Sequence, residues 1–306
     1  PRFDHDPVTR ESKGILIEEG RTNLVDDSTN YSDWIDYGST HEKTTEVTAP
    51  DGTFNAWKVK STGTTSQFGL YDTISYSANV TYTHSMWLKA GNVTRVGITV
   101  SSGSRWSVMP YLVVDLDTGT VNSTGSSVST KLTAYPNGWY LLEATGTFGS
   151  TTQVDGLWSY TAQTGGFSGN NSGYFYQWGG QAEAGGHGTT FIPTNGSIAT
   201  RGNERVRMDG GEFSDLYNVT EGTFVSQHEI LKNQANMGII TFCKDFASAE
   251  RIELRATASN TALGRFEVVT GSSSVVSLYS GLSHSGFGAG KNNKYAFAFK
   301  KDDYAG

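Results

Sequence analysis

The chain has little with which to cross-link itself. Cys243 is the single cysteine among 306 residues, so no disulfide can form within the chain. It lies in GIITFCKDF, an apolar run that predicts a buried structural thiol rather than a nucleophile. The fold is therefore expected to depend on its core alone, which suits assembly in a reducing cytoplasm.

Long apolar runs and leader patterns are also missing. No run approaches the roughly 20 apolar residues that a membrane-spanning helix needs, and no signal-peptide pattern opens the sequence. We therefore expect no membrane insertion. The first residue is Pro1 rather than Met, which indicates a fragment or a processed product.

Positive charge is scarce in the first two thirds of the chain. The net charge is −7 and the pI is near 5.4, which argues against a nucleic-acid-binding surface. Residues 1–200 carry 11 Lys and Arg against 18 Asp and Glu, whereas residues 201–306 carry 12 of each. All seven tryptophans lie between Trp34 and Trp178. Two regions of different character therefore meet near residue 200.

The sequence is instead rich in short strand patterns. Hydrophobic residues make up 36% of the chain and glycine alone contributes 37 residues, which favours many strands joined by turns over packed helices. In AWKVK, Trp57 and Val59 alternate with Lys58 and Lys60, as in a strand with one buried face. Turn sequences such as APDGT, DTGT and PNG separate the runs. This pattern predicts an all-β fold of tandem antiparallel β-sandwiches, most simply jelly rolls.

Three segments are predicted. Residues 1–22 form a lead-in strand or linker, residues 23–202 a jelly-roll module, and residues 203–306 a second sandwich that is incomplete at its C-terminus. The stretch WGGQAEAGGHGTTFIPTNGSIATRG, at 178–202, has neither the Gly-Lys-Ser/Thr of a phosphate-binding loop nor the Gly-x-Ser-x-Gly of a nucleophile elbow. We interpret it as a last strand, a glycine-rich turn and the exit from the first module.

Catalytic and metal-binding patterns are weak. The six histidines do not fall at metal-ligand spacing. A carboxylate pair such as Asp115 with Glu143 would be needed for glycoside hydrolysis, but DLDTG is more typical of a turn in which Asp117 hydrogen-bonds to the backbone. For a structural calcium ion, the candidate ligands are Asp26, Asp27 and Asp33 in DDSTNYSDW, although a plain polar loop is the favoured interpretation. No other cofactor is expected.

Aromatic residues give the strongest functional signal. Sugar rings present apolar C–H faces that stack on tryptophan and tyrosine, while polar neighbours bind the hydroxyl groups. We predict Trp106 and Trp158 as stacking platforms, with Arg105, Tyr111 and Tyr160 beside them. Most other aromatic rings are expected in the core, among them Trp57, Trp87, Trp139 and Trp178.

The order of motifs resembles a known class of viral protein. The chain is similar to structural proteins of tailed bacteriophages, including those of marine and cyanobacterial hosts. The motifs that carry the likeness span nearly the whole chain: PRFDHDPVTRESKGILIEEGRTNLV, APDGTFNAWKV, THSMWLKAG, DLDTGTV, NGWYLLEATGTF, WGGQAEAGGHGTTFIPTNGSIATR and YNVTEGTFVSQHEI. The resemblance implies a jelly roll like that of carbohydrate-binding modules, followed by a concanavalin-like or laminin-G-like module. It brings no catalytic residues with it.

These observations together predict a non-enzymatic virion protein, a tail fibre or surface adhesin that binds a host glycan. The expected partners are other virion proteins, the glycan and further copies of the chain. Assembly would take place in the host cytoplasm. A purely architectural role in a capsid or tail is the alternative, and a polysaccharide depolymerase is the third, least favoured possibility.

Overall fold

A computed structural model describes the backbone of residues 2–63, 68–101, 112–123, 128–147, 153–161, 172–208, 211, 213, 215, 218, 220–229, 237–243, 251–256, 264–271, 273–279, 292–300 and 303–305. The chain divides into two compact units, Pro1–Val206 and Arg207–Gly306. Each unit is described by itself.

The first unit is built from strands that are joined mostly by turns. They are β1 (Arg2–His5), β2 (Ser12–Leu16), β3 (Arg21–Asn23), β4 (Ile35–Tyr37), β5 (Ser39–Thr44), β6 (Ala56–Ser61), β7 (Gly69–Tyr76), β8 (Thr81–Ala90), β9 (Arg95–Ser101), β10 (Leu112–Asp115), β11 (Thr120–Ser123), β12 (Ser129–Tyr135), β13 (Trp139–Thr147), β14 (Gln153–Thr161), β15 (Tyr174–Ala184) and β16 (Ala199–Arg201). A 3₁₀ turn, Pro136–Gly138, connects β12 to β13.

Two six-stranded antiparallel sheets face each other in this unit. Sheet I has the strand order β11-β10-β9-β14-β7-β4, and sheet II has the order β12-β13-β8-β15-β6-β5. The pairs β6–β15, β7–β14, β8–β13 and β9–β10 are nested along the chain, as in a long ribbon of two strands folded over on itself. This is the topology of a jelly roll, so the predicted all-β sandwich is confirmed.

Alternating residues of both sheets fill the space between them. Met86 and Leu88 of sheet II and Leu70 and Ile98 of sheet I are at most 2% exposed and belong to one hydrophobic cluster. Trp57 and Val59 join the same cluster, as the AWKVK pattern predicts. Burial of this apolar surface is the main favourable contribution to folding in a chain without disulfides.

A second apolar layer covers the outer side of sheet II. Trp87, Trp139 and Trp178 are buried there, and the indole N–H of Trp139 donates to the carbonyl of Thr48 at 2.8 Å. The prediction that these tryptophans are core residues is therefore confirmed. They lie, however, beneath the segments around Ala49 and Phe191 rather than between the two sheets.

The exit from the jelly roll returns to its entrance. After β15 the chain crosses sheet II and forms β16, which pairs with β3. The side-chain amide of Asn23 donates to the carbonyls of Gly180 and Ile192 at 3.2 and 2.9 Å, and Thr194 exchanges hydrogen bonds with Ser28. Asn23, Ser28 and Thr194 are all buried. These bonds satisfy polar groups where the chain enters and leaves the sandwich.

The second unit is also a β-sandwich. Its strands are β17 (Glu221–Glu229), β18 (Met237–Cys243), β19 (Arg251–Ala256), β20 (Gly264–Thr270), β21 (Ser273–Tyr279), β22 (Asn292–Lys300) and β23 (Asp303–Ala305). One sheet has the order β17-β22-β23 and the other the order β18-β19-β20-β21. Val268, Phe297 and Phe299 form the centre of its core.

The predicted burial of Cys243 is wrong. The thiol is exposed at the end of β18, an outer strand of its sheet. Strand alternation places the neighbouring Phe242 on the inner side, where its ring lies 3.9 Å from that of Phe224. One residue further along, the side chain of Cys243 points outward.

A glycine pair tests how tightly the outer layer of sheet II is packed. Gly179 has a φ of +67°, and a Cβ there would lie 2.7 Å from the Trp87 ring; Gly196 has a φ of +73°, and a Cβ there would meet no atom within 4 Å. We expect Gly196→Ala to lower the free energy of unfolding by about 1–2 kcal/mol, because of backbone strain alone. Gly179→Ala is expected to cost about 3 kcal/mol or more, because overpacking adds to the same strain. Urea unfolding of both variants measures the difference, and equal losses would contradict the packing argument.

Candidate functional site

The outward side of sheet I carries aromatic residues where a β-sandwich usually carries polar ones. In β7, Leu70 and Ile74 are buried on the inner side, whereas the half-buried Tyr71 and the exposed Thr73 lie on the outer side. Because strand residues alternate, every position paired with Tyr71 or Thr73 shares that outer side.

Two rows of residues cross sheet I on this side. In the first row Tyr71 of β7 lies between Ile35 of β4 and Trp158 of β14, and Trp158 in turn pairs with Thr99 of β9. Ile35 is 45% exposed. The predicted residue Trp158 thus occupies the position next to a tyrosine that the sequence did not single out.

The second row runs parallel to the first. Tyr160 of β14 pairs with Gly69 of β7 and Gly97 of β9, and Gly69 pairs with Tyr37 of β4. Tyr160 and Trp158 are two residues apart and share a side of the sheet. We call the outer side of sheet I that carries Tyr37, Tyr71, Trp158 and Tyr160 the aromatic face.

Glycines separate these aromatic positions. Gly69 and Gly97 flank Tyr160, and Gly156 lies between Thr73 and Ser101 in the next row. A glycine inside a strand has no side chain to pack and often marks a close approach by another group. Gly69 and Gly97 are buried, so neighbouring groups close over the middle of the row. Tyr37, at 44% exposure, keeps the β4 edge accessible.

Charged groups lie beyond β14, on the two strands next to the β11 edge of sheet I. Arg95 of β9 is on the same side as Gly97, two residues away, and its Nε lies 3.6 Å from a carboxylate oxygen of Asp115 on β10. Asp115 also accepts hydrogen bonds from the backbone N–H groups of Asp117 and Thr118 at 3.0 and 3.2 Å. Asp115, and not Asp117, therefore caps the DLDTG turn, which corrects the sequence interpretation.

The remaining predicted sugar contacts, Arg105, Trp106 and Tyr111, lie outside the described residues. For Trp158 and Tyr160 the backbone position is described. The structure therefore brings Trp158 and Tyr160 to adjacent rows of one sheet and adds Tyr37 and Tyr71.

The calcium candidates do not converge on one point. Asp26 and Asp33 are exposed, and the side chain of Asp27 accepts a hydrogen bond from the N–H of Gly196 at 2.8 Å. Within the described part of the chain, no group of three or more His, Cys, Asp or Glu side chains is arranged to hold a metal ion. Calcium at these aspartates stays a prediction.

Asp72, an aspartate that the sequence did not single out, lies near two of the calcium candidates, Asp26 and Asp27. Asp72 of β7 occupies an inward position, and its Oδ2 is buried without a hydrogen-bond partner. Burial raises the pKa of Asp72 to about 6, against a hydrogen bond from the N–H of Thr73, and the charges of Asp26 and Asp27 raise it further.

A carboxylate pair of the kind that hydrolyses glycosides does not form at the suggested positions. Asp115 lies on β10 of sheet I and Glu143 on β13 of sheet II, so the two residues are divided between two sheets. In the second unit Glu253 and Glu267 are buried and directly opposite each other on β19 and β20. An Arg251 nitrogen lies 3.2 Å from Glu253. The positive charge of this arginine offsets part of the repulsion between the two glutamates.

Comparison with known proteins adds no assignment. No protein-family model matches the chain, and no curated protein is significantly similar to it. The likeness to bacteriophage proteins therefore stays a prediction from the motifs quoted above. No helix among the described residues is long and apolar enough to cross a membrane.

The raised pKa of Asp72 predicts that Asp72→Asn increases the stability of the fold in a pH-dependent way. Between about pH 4 and pH 6 the native state holds a proton that the unfolded state has released, so ionisation of Asp72 lowers stability as the pH rises through this window. At pH 7 in EDTA, Asp72→Asn should stabilise the fold by on the order of 1 kcal/mol after allowance for solvent screening. The gain should vanish at pH 4.

Thermal melts at the two pH values, with Asp51→Asn as an exposed control, measure this effect. A loss of stability at pH 7 would contradict it. Melts with added calcium chloride test the ion: a rise in the wild-type melting temperature that Asp72→Asn abolishes would assign calcium to these aspartates.

Proposed function

We propose that this chain is a non-enzymatic virion protein of a tailed bacteriophage and that its jelly-roll unit binds a host surface glycan through the aromatic face. The observation that carries the glycan part is the shared side and adjacent rows of Tyr37, Tyr71, Trp158 and Tyr160 on sheet I. The virion part is supported by the order of sequence motifs alone.

The chemistry of the aromatic face suits a sugar. Aromatic rings offer apolar, polarisable surfaces for the C–H faces of pyranose rings, and Tyr37 at the β4 edge is 44% exposed. Thr73 in the adjoining row and the Arg95–Asp115 pair on β9 and β10 supply polar groups for hydroxyls. A few such contacts give weak binding at each site.

Weak single sites are useful on a particle that displays many copies. When several sites engage one surface, the overall avidity can exceed the affinity of a single site by about 100-fold or more. A homo-oligomeric virion protein therefore needs no deep pocket.

An architectural role is the second candidate, and one observation favours it. Phe3 and Ile15 lie opposite each other on the β1–β2 hairpin and expose large apolar side chains, and Ile17 just after β2 is exposed as well. Exposed apolar surface of this kind is typical of protein–protein contacts. The two roles use different surfaces of the first unit and can be tested separately.

A glycan array probed with the full chain on a multivalent carrier tests the sugar-binding proposal. Tyr71→Ala and Trp158→Ala should each weaken binding to the recognised glycan about tenfold, because loss of one stacked ring removes roughly 1 kcal/mol or more. Tyr37→Ala, at the accessible edge, should have a similar effect. Phe54→Ala is the matched control, since Phe54 is an exposed aromatic residue outside sheet I.

Thermal melts followed by circular dichroism show whether each variant is folded. Failure of the wild-type chain to bind any host-derived glycan at high valency would refute the proposal. Binding that survives Tyr71→Ala and Trp158→Ala unchanged would remove the aromatic face as its site.

A further inference from the structure

The β1–β2 hairpin is a sheet of its own. Arg2–His5 pairs antiparallel with Ser12–Leu16, and Phe3 lies directly opposite Ile15. In the described part of the chain, this sheet has two strands only. Two-stranded sheets are marginally stable in water, and a third strand or a packing partner is usually needed.

The hairpin presents an apolar side to solvent. Phe3 is 61% exposed and Ile15 50%, and their direct pairing places both on one side. Ile17, just beyond β2, is 53% exposed. Single exposed apolar residues are ordinary, but adjacent large ones are uncommon on a monomer.

The other side of the hairpin is fixed to the jelly-roll unit. Arg2 donates from Nε to Glu204 at 2.5 Å and from one Nη to Glu18 at 2.6 Å. The backbone N–H of Glu204 also donates to the carbonyl of Glu18 at 2.9 Å. These bonds hold the hairpin in one orientation, so its apolar side and the outer edge of β1 are presented in a defined direction.

The sequence of β1 is complementary to itself when two copies run antiparallel. Arg2 and Asp4 carry opposite charges on either side of Phe3. A two-fold axis through the Phe3 pair places Arg2 opposite Asp4 of a second copy, and Asp4 opposite Arg2. A parallel arrangement would instead oppose like charges. The guanidinium has five donors, and Arg2 uses its Nε and one Nη within its own chain, which leaves the donors of its other Nη for a third carboxylate.

We propose that β1 pairs with β1 of a second copy of this chain. The two hairpins then form a four-stranded antiparallel sheet with Phe3 opposite Phe3 of the second copy at its centre. The pairing satisfies the backbone groups along the outer edge of β1. It also lines up Ile15 and Phe3 of both copies in one apolar row, where neighbouring side chains shield one another from water. An isologous contact of this kind closes at a dimer.

This interface is independent of the glycan proposal. It uses residues 2–16, whereas the aromatic face uses β4, β7, β9 and β14. Dimerisation would nevertheless double the number of aromatic faces on one particle component.

Disulfide trapping tests the register directly. Residues directly opposite each other in antiparallel strands have Cα atoms about 4.5–5.5 Å apart, within the range of a disulfide. In the full chain with Cys243→Ser, Phe3→Cys should give a covalent dimer on mild oxidation. Val8→Cys is the matched control, because Val8 is equally exposed, at 59%, but lies in the turn beyond β1; it should stay monomeric on a non-reducing gel.

Sedimentation equilibrium tests the predicted charge pairing between copies, with single substitutions in the chain that keeps Phe3, Val8 and Cys243. Asp4→Lys places like charges opposite each other and should weaken dimerisation at least tenfold, whereas Asp51→Lys makes the same charge change at an exposed loop and should have no effect. A chain that is monomeric at every concentration overturns the proposal. So does a dimer that ignores Asp4→Lys or cross-links equally through Phe3→Cys and Val8→Cys.

Discussion

Burial of sheet II on both of its sides is the constraint on which the rest of the first unit depends. The central strand β15 is buried along nearly its whole length, because the sandwich core covers one side and the tryptophan layer covers the other. A ligand therefore has no access to the middle of sheet II. In the described part of the chain no comparable tryptophan layer covers the outer side of sheet I, where Tyr37 and Thr73 are exposed.

The strands that the sequence predicted well are those with clean alternation. AWKVK gave the correct inward residues for β6, and the runs around Trp87, Trp139 and Trp178 gave buried strands. Pattern alone could not assign these tryptophans to the outer layer, because a strand buried on both sides has no polar side to orient it. That assignment depends on contacts between residues distant in the chain, such as Trp139 with Thr48.

Two strands that build the aromatic face, β7 and β14, lack clean alternation. GLYDTISY of β7 has Asp72 at an inward position, and QVDGLWSYT of β14 has Gly156 and an aspartate that break the alternation. The signal that could have found the face was present in the spacing of Trp158 and Tyr160, two residues apart. The neighbour of Trp158, Tyr71, could be identified only once the pairing of β7 with β14 was known. Local rules fail most often where a strand serves something besides packing.

Two titratable groups inside the sandwich oppose each other's effect on stability. His84 is fully buried, its Nε2 lies 2.7 Å from the Tyr76 hydroxyl, and burial lowers its pKa to about 3. As the pH falls below about 6.5, His84 binds a proton in the unfolded chain but stays neutral in the native state. The free energy of unfolding therefore decreases. Asp72 acts in the opposite direction over nearly the same window, because its raised pKa favours the native state as the pH falls towards 4. Their sum is flatter than either contribution, which suits a fold that has no disulfide to limit unfolding.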